Sequence, residues 1–217
     1  MKKTVLFDLD GTLTESGEGI TKSVQYALKK MGKPEPDLHK LRVFVGPPLT
    51  EQFMAYADMS REEAERAVFY YRERYSATGI FENRPYPGIP EMLGALKEKG
   101  FLLAVASSKN EESVDLVLEH FALKQYFDEA VGSYMDGRRS RKADVIEEAL
   151  RRLNTRGGTE QALMVGDKEH DVIGAREAGI SCVAVAYGYG TMEELEAAKP
   201  LKIVHTVEKL QEYLLSL

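Results

Sequence analysis

The sequence predicts an α/β protein, a Rossmann-like parallel sheet with helices on both faces that carries an inserted all-helical cap. Three observations lead there. Short apolar runs rich in Val, Leu and Ala alternate with amphipathic stretches over most of the 217 residues. Strand, helix, strand in that order needs crossover connections, which a sheet buried on both faces accommodates. Residues 18–78 carry helical patterns and no strand signal, so they interrupt the alternation rather than extend it.

Residues 4–7, 101–106, 130–131, 162–165, 182–186 and 203–204 read as buried strands, most of them ending in Gly, Ser or Asp. Residues 90–99, 111–121, 143–153 and 169–178 read as helices; in the second, Val114, Val117, Leu118 and Phe121 recur at helical spacing. Gly100 and Gly179 stand where C-terminal caps belong, since glycine takes positive φ without steric cost. In the interruption, Ile20, Val24, Ala27, Leu28 and Met31 form one stripe. Leu49, Phe53 and Met54 begin a second, and Ala64, Ala67, Val68, Tyr71 and Tyr75 form a third. Residues 83–88, with two prolines and a glycine, read as a linker. The expected division is a core of 1–15 and 87–217 and a helical cap of 16–86, joined by two crossings of the chain that allow it to open and close over a site.

Composition narrows the function. A net charge of −6, from 29 basic and 35 acidic residues, argues against a nucleic-acid polymer as partner. The longest purely apolar runs, such as 101–106, fall far short of the ~20 residues of a membrane-spanning helix. The apolar start is cut off at Asp8, which does not fit a secretory signal, and the single cysteine, Cys182, fits a reducing compartment. The expectation is a cytoplasmic protein, monomeric or homodimeric, acting away from membranes.

Parallel sheets place ligands at the carboxyl ends of their strands. The first strand runs into Asp8-Leu9-Asp10-Gly11-Thr12, a later one into Gly166-Asp167-Lys168-Glu169-His170-Asp171, and the strand at 101–106 into Ser107-Ser108-Lys109; Lys142 opens a helix. Two carboxylates ~4 Å apart repel by about 4 kcal/mol at an effective dielectric of ~20. Four carboxylates gathered at these loops therefore need Lys142, protons or a bound cation, and an oxygen-rich set of this kind suits Mg²⁺. Asp8 and Asp10 can address one ligand, one attacking phosphorus and the other handling the leaving-group proton. Asp167 and Asp171, four apart, are expected on one face of a helix's opening turn, holding metal. Ser107, with Ser108 as its neighbouring rival, can donate to a phosphoryl oxygen, and backbone amides through Gly11 and Thr12 can cradle the same anion.

These motifs, in this order, resemble the four motifs of the haloacid dehalogenase superfamily of phosphotransferases, and the helical insertion after the first resembles its cap of the first type. The resemblance implies that Asp8 is the nucleophile of an aspartyl-phosphate and Asp10 the general acid and then base. It further implies that the Asp8 carboxylate, the Asp10 main-chain carbonyl and Asp167 hold Mg²⁺ with Asp171 in support. The run Phe44-Val45-Gly46-Pro47-Pro48-Leu49 and the segment 165–175 are similar to a bacterial branch of phosphoglycolate phosphatases and 5′-nucleotidases. The implied substrate is a small phosphorylated metabolite, a nucleoside 5′-monophosphate or phosphoglycolate, with Gly46, Pro47 and Phe53 of the cap as contacts. A phosphomutase of the β-phosphoglucomutase type and a non-catalytic binding protein are the alternatives, and a Schiff-base lysine among Lys22, Lys29 and Lys30 would mark phosphonate cleavage. Two departures stand out: Asn110 where proline is common, and Glu15 where aspartate is usual. Four bland readings compete: Asp167 as a helix cap, Arg138, Arg139 and Arg141 as a solvated run beside Lys142 with Arg141 its fallback, His170 as a surface residue, and Cys182 as core.

Overall fold

A computed structural model describes residues 3–134, 139, 141–153 and 162–217. The chain divides into two compact units, Met1–Thr14 with Pro85–Leu217 and Glu15–Arg84.

The larger unit is built on six parallel strands: β1 (Thr4–Phe7), β2 (Leu102–Asn110), β3 (Glu129–Ser133), β4 (Ala162–Gly166), β5 (Ser181–Val185) and β6 (Lys202–Val204), in the order β3-β2-β1-β4-β5-β6. Its helices are α4 (Ile89–Glu98), α5 (Glu111–His120), α6 (Lys142–Arg152), α7 (Glu169–Glu177), α8 (Met192–Ala198) and α9 (Val207–Ser216). Side chains alternate across a strand, so Leu6, Ala104, Met164 and Cys182 share one face, where they pack with Val145, Ile146 and Ala149 of α6, Val172 and Ala175 of α7 and Leu195 of α8. Val5, Phe7, Leu103, Val105, Val165 and Val183 alternate with them on the opposite face and are equally buried. Both faces are therefore dry, as the continuous apolar runs require. Helices α4 and α9 pack on each other, and the Lys99 ammonium donates to the carbonyl of Leu215.

The strands fall where the apolar runs are, with one difference. β2 does not stop at Ala106 but continues to Asn110 through a register shift against β3. Asn110 then caps α5, its side chain accepting the Ser113 N–H at 3.0 Å, which accounts for asparagine at a position where the resemblance led us to expect proline. Helices α8 and α9 complete the order beyond the predicted alternation; α8 opens on a capping box formed by Thr191 and Glu194.

The smaller unit contains α1 (Gly17–Lys30), α2 (Leu49–Ala57) and α3 (Arg61–Ala77), and among its described residues no strand. Two of the three expected stripes form much of its interior: Ile20, Val24, Ala27 and Leu28 of α1 and Ala64, Ala67, Val68, Tyr71 and Tyr75 of α3 are buried, while Met31 is half-buried and in the stripe of α2 only Phe53 is buried, with Leu49 and Met54 half-buried. Ser60 and Glu63 form a capping box that starts α3. Arg74 of α3 grips Glu82 through two hydrogen bonds of 2.8 and 3.0 Å. Glu15, the other departure, pairs with Arg84 at 2.5 Å. Phe53, expected as a substrate contact, is instead fully buried with its ring 4.8 Å from that of Phe44, because an aromatic on the apolar stripe of α2 gains most by packing inward. Gly46 sits at φ 104° in an exposed turn beside the half-buried Pro47.

Candidate active site

In the strand order of the sheet, β1 and β4 are neighbours although most of the larger unit's chain lies between them, so the connections diverge there, the position at which parallel sheets place their ligands. Phe7 is level with Val105 of β2 and Val165 of β4, so Asp8, Ser107 and Asp167 stand within about one residue of the same level along three adjacent strands. The Asp8 N–H continues the ladder by donating to the Val165 carbonyl at 2.9 Å.

Lys142, the first residue of α6, organises the centre. Its ammonium lies 2.9 Å from Asp8 Oδ1 and 2.8 Å from Asp171 Oδ1, and donates to the Ala106 carbonyl at 3.2 Å. The rival Arg141 is exposed and pairs with Glu177, Arg139 pairs with Glu111, and Arg138 lies outside the described residues. Asp171 also accepts the Lys168 N–H at 3.0 Å. The expectation of Asp167 and Asp171 on one helical face is corrected here: Asp167 precedes α7, and Asp171 turns back toward β4. A side chain at Gly166 would collide with its carboxylate, at 2.1 Å from Cγ. Lys168, not Asp167, occupies the helix cap position.

Asp8, Asp167 and Asp171 each offer an oxygen within 4.8 Å of the others, all three buried. Counting three carboxylates against the single Lys142 ammonium leaves a formal −2. Burial pushes the Asp8 carboxyl up to about 6, an effect that Lys142 opposes and Asp171 reinforces. Burial and the Asp171 and Asp8 charges raise Asp167 well above the carboxylate range. On Lys142 burial works against the charge, but Asp171 and Asp8 outweigh it and hold the ammonium above the ordinary lysine range. Oxygen donors, an uncompensated double negative charge and shared burial are what a hard divalent cation fits.

This electrostatics has a measurable consequence. An acid whose pKa is raised on folding favours the folded state when protonated, so stability falls as pH rises through the folded value. The metal-free protein is expected to show a higher Tm at pH 5.5 than at pH 7.5 by differential scanning calorimetry. Asp8 and Asp167 set that slope, and saturating Mg²⁺ should flatten it; a metal-free Tm that rises over the interval would contradict the reading of the cluster.

Asp10 stands apart from the three carboxylates. Its Oδ2 is 2.7 Å from the Lys109 ammonium in an ion pair almost closed to solvent, while its buried Oδ1 has no hydrogen-bond partner. Its carboxylate is not among the three gathered oxygens. Lys109 is a site residue that the sequence reading passed over, although it follows Ser107-Ser108 directly. Ser107 is buried within β2 and Ser108 half-buried, so burial favours Ser107. Gly11 and Thr12 do not cradle an anion as expected. Their amides donate to Thr14 and Leu9 carbonyls, and the Thr12 hydroxyl donates to Asp167 Oδ1 at 3.3 Å. His170 is exposed and Cys182 buried in the sheet, as expected.

Comparison with known proteins decides the family. Residues 5–185 match the haloacid dehalogenase-like hydrolase model. The chain belongs to this family. A 5′-nucleotidase of Pseudomonas aeruginosa is 45% identical over 197 residues, covering 90% of this chain and 88% of that protein. The tyrosine-protein kinase PtkA of Mycobacterium tuberculosis is 40% identical, covering 97% and 72%, and a phosphoglycolate phosphatase of Aquifex aeolicus 34% identical, covering 86% of each. A crystal structure of a predicted phosphatase from Clostridium acetobutylicum superposes with a TM-score of 0.95 at 47% identity over the whole of both chains. The protein is thus a haloacid dehalogenase-type phosphatase with 5′-nucleotidase and phosphoglycolate phosphatase homologues. Among its described residues no helix is long and apolar enough to cross a membrane.

Proposed function

We propose that the protein is a Mg²⁺-dependent phosphomonoesterase that works through an aspartyl-phosphate on Asp8, with a nucleoside 5′-monophosphate favoured over phosphoglycolate as substrate. The observation that carries the reading is the convergence of Asp8, Asp167 and Asp171 around one ammonium, with the carboxylate of Asp10 held separately. Asp8, Asp167 and Asp171 would hold Mg²⁺, with the Asp10 carbonyl; when bound it offsets charge on the phosphoryl oxygens.

Asp8 is ionised near neutral pH, since its carboxyl titrates at about 6 before any cation binds. Its carboxylate attacks phosphorus, the P–O bond of the ester breaks, and Asp10, which enters the cycle protonated, gives that proton to the departing alkoxide. Asp10 then takes a proton from the water that attacks the acyl phosphate, so phosphate leaves and both carboxylates return to their starting states. Lys142 stays protonated beside Asp8 and meets charge developing on the phosphoryl group, and Ser107 donates to one of its oxygens. Lys109 fixes the position of Asp10. Lys109→Met is expected to lower kcat about 100-fold in steady-state assays, while Mg²⁺ affinity, which rests on the other three carboxylates, is kept; unchanged kcat would remove Lys109 from the mechanism.

Nucleotide is preferred because the 5′-nucleotidase relative is the more similar of the two named for small substrates. The phosphonate-cleaving alternative loses ground at Lys22, whose ammonium is bridged by Glu18 at 2.5 Å and Glu82 at 3.2 Å; those hydrogen bonds hold it above the ordinary lysine range, the reverse of what a Schiff base needs. Phosphate release across nucleoside monophosphates, sugar phosphates and phosphoglycolate, with and without Mg²⁺, tests the reading. Free phosphate from a nucleotide supports it. Metal-independent release, or transfer to a sugar or tyrosyl acceptor without free phosphate, would overturn it.

A further inference from the structure

Between β5 and α8 the chain passes through Tyr187-Gly188-Tyr189-Gly190, a turn that the reaction as described does not use. We propose that this turn is a positioning element for the cation site, fixing Asp167 as a ligand; the inference rests on the metal reading above. Three independent contacts carry it. The Tyr189 N–H donates to Asp167 Oδ2 at 2.7 Å, while the Thr12 hydroxyl holds the other oxygen. The Tyr187 hydroxyl donates to the Thr12 carbonyl at 3.0 Å, tying the turn to the loop that follows β1, and its ring meets the edge of Tyr86 at 4.9 Å. The space around Asp167 is closed on several sides: a Cβ at Gly188 would lie 2.4 Å from Asp167 Cβ and 2.4 Å from the Gly11 carbonyl, and one at Gly190 would lie 2.0 Å from the Asp167 carbonyl. At Gly11, which sits at φ +85°, it would lie 2.2 Å from Asp167 Oδ2.

The chemistry of the clamp is specific to a ligand. Asp8 and Asp171 share Lys142 and Asp10 has Lys109, but among the described residues no lysine or arginine is ion-paired with Asp167. Neutral donors orient a carboxylate without supplying a counter-charge, which leaves that role to a cation. A lysine in the same place would compete with that cation. Partners that orient a metal ligand in this way are typically worth about 10- to 100-fold in metal affinity.

The test is titration of the metal-free full-length protein with Mn²⁺, followed by the electron paramagnetic resonance of the free ion. Gly188→Ala, which drives a methyl group into Asp167, is expected to weaken Mn²⁺ binding about 10- to 100-fold, and Tyr187→Phe, which only unties the turn from Thr12, about threefold to tenfold. Circular dichroism and Tm identify variants that keep the fold, and kcat of Tyr187→Phe should recover at saturating metal. A folded Gly188→Ala with wild-type affinity overturns the proposal. If that variant does not fold, Tyr187→Phe decides, and unchanged affinity there overturns it as well. Wild-type protein that binds no Mn²⁺ instead overturns the metal reading itself, and the turn's role with it.

Discussion

Asp8→Asn is expected to lower kcat by about 10⁴-fold or more and to leave the protein folded. Asparagine keeps the shape of the side chain but removes the attacking oxygen's charge. The nearest other carboxylates are already committed: Asp10 to Lys109, Asp171 to Lys142 and the Lys168 amide, and Asp167 to Thr12 and Tyr189. Stability moves the other way. The Asp8 carboxyl is raised to about 6 because burial, with Asp171, outweighs the attraction of Lys142, so its ionised form is a burden on the metal-free fold at pH 7.5. Removing that charge should hold or raise the metal-free Tm at pH 7.5 and shrink the difference between pH 5.5 and 7.5. Loss of activity together with loss of fold would point to a merely structural aspartate, and substantial remaining turnover would refute the nucleophile.

Lys142→Met should damage both properties, and stability more than any other substitution. The ammonium is the one described cation shared by Asp8 and Asp171, and its side chain is only 7% exposed. Taking one partner from a buried ionic group leaves charge without compensation, which typically costs about 3–5 kcal/mol. For a chain of this size that corresponds to a fall in Tm of roughly 10 °C. Protonation of Asp8 softens the loss in acid, so the deficit should widen between pH 5.5 and 7.5. In the reaction the same ammonium faces the phosphoryl group, and loss of such a preorganised charge lowers kcat by about 10²- to 10³-fold. Added Mg²⁺ should restore part of the stability, because a divalent cation offsets the same carboxylates, but not the rate. A variant as stable and active as the parent would place Lys142 outside the site.

The strands and most helices could be read from the sequence because burial on both faces of a parallel sheet leaves continuous apolar runs, and because the helices between them carry one apolar stripe each. The site was readable in its acidic residues, since Asp8 and Asp167 directly follow strands, Asp171 lies in the first turn of the next helix, and topology does the gathering. What escaped depended on contacts between distant segments. Lys109 looks like one more surface lysine until β2 is seen to continue past Ala106 and bring it to Asp10. Thr12 reads as a phosphate contact by position, yet its hydroxyl meets an oxygen 155 positions away. Phe53 reads as a recognition aromatic, but the same apolar stripe that identified its helix also directs the ring inward against Phe44. The Tyr187–Gly190 turn gave a signal in its alternating glycines, whose purpose shows only in the space that Asp167 fills.

The stereochemistry at phosphorus tests the central claim most directly. Each in-line displacement inverts the transferred group, so attack by Asp8 followed by attack of water on the acyl phosphate gives net retention. With a substrate made chiral at phosphorus by isotopic oxygen and sulfur, the account predicts retention in the released thiophosphate. Inversion would mean that water attacks the ester in a single step, and would contradict the account.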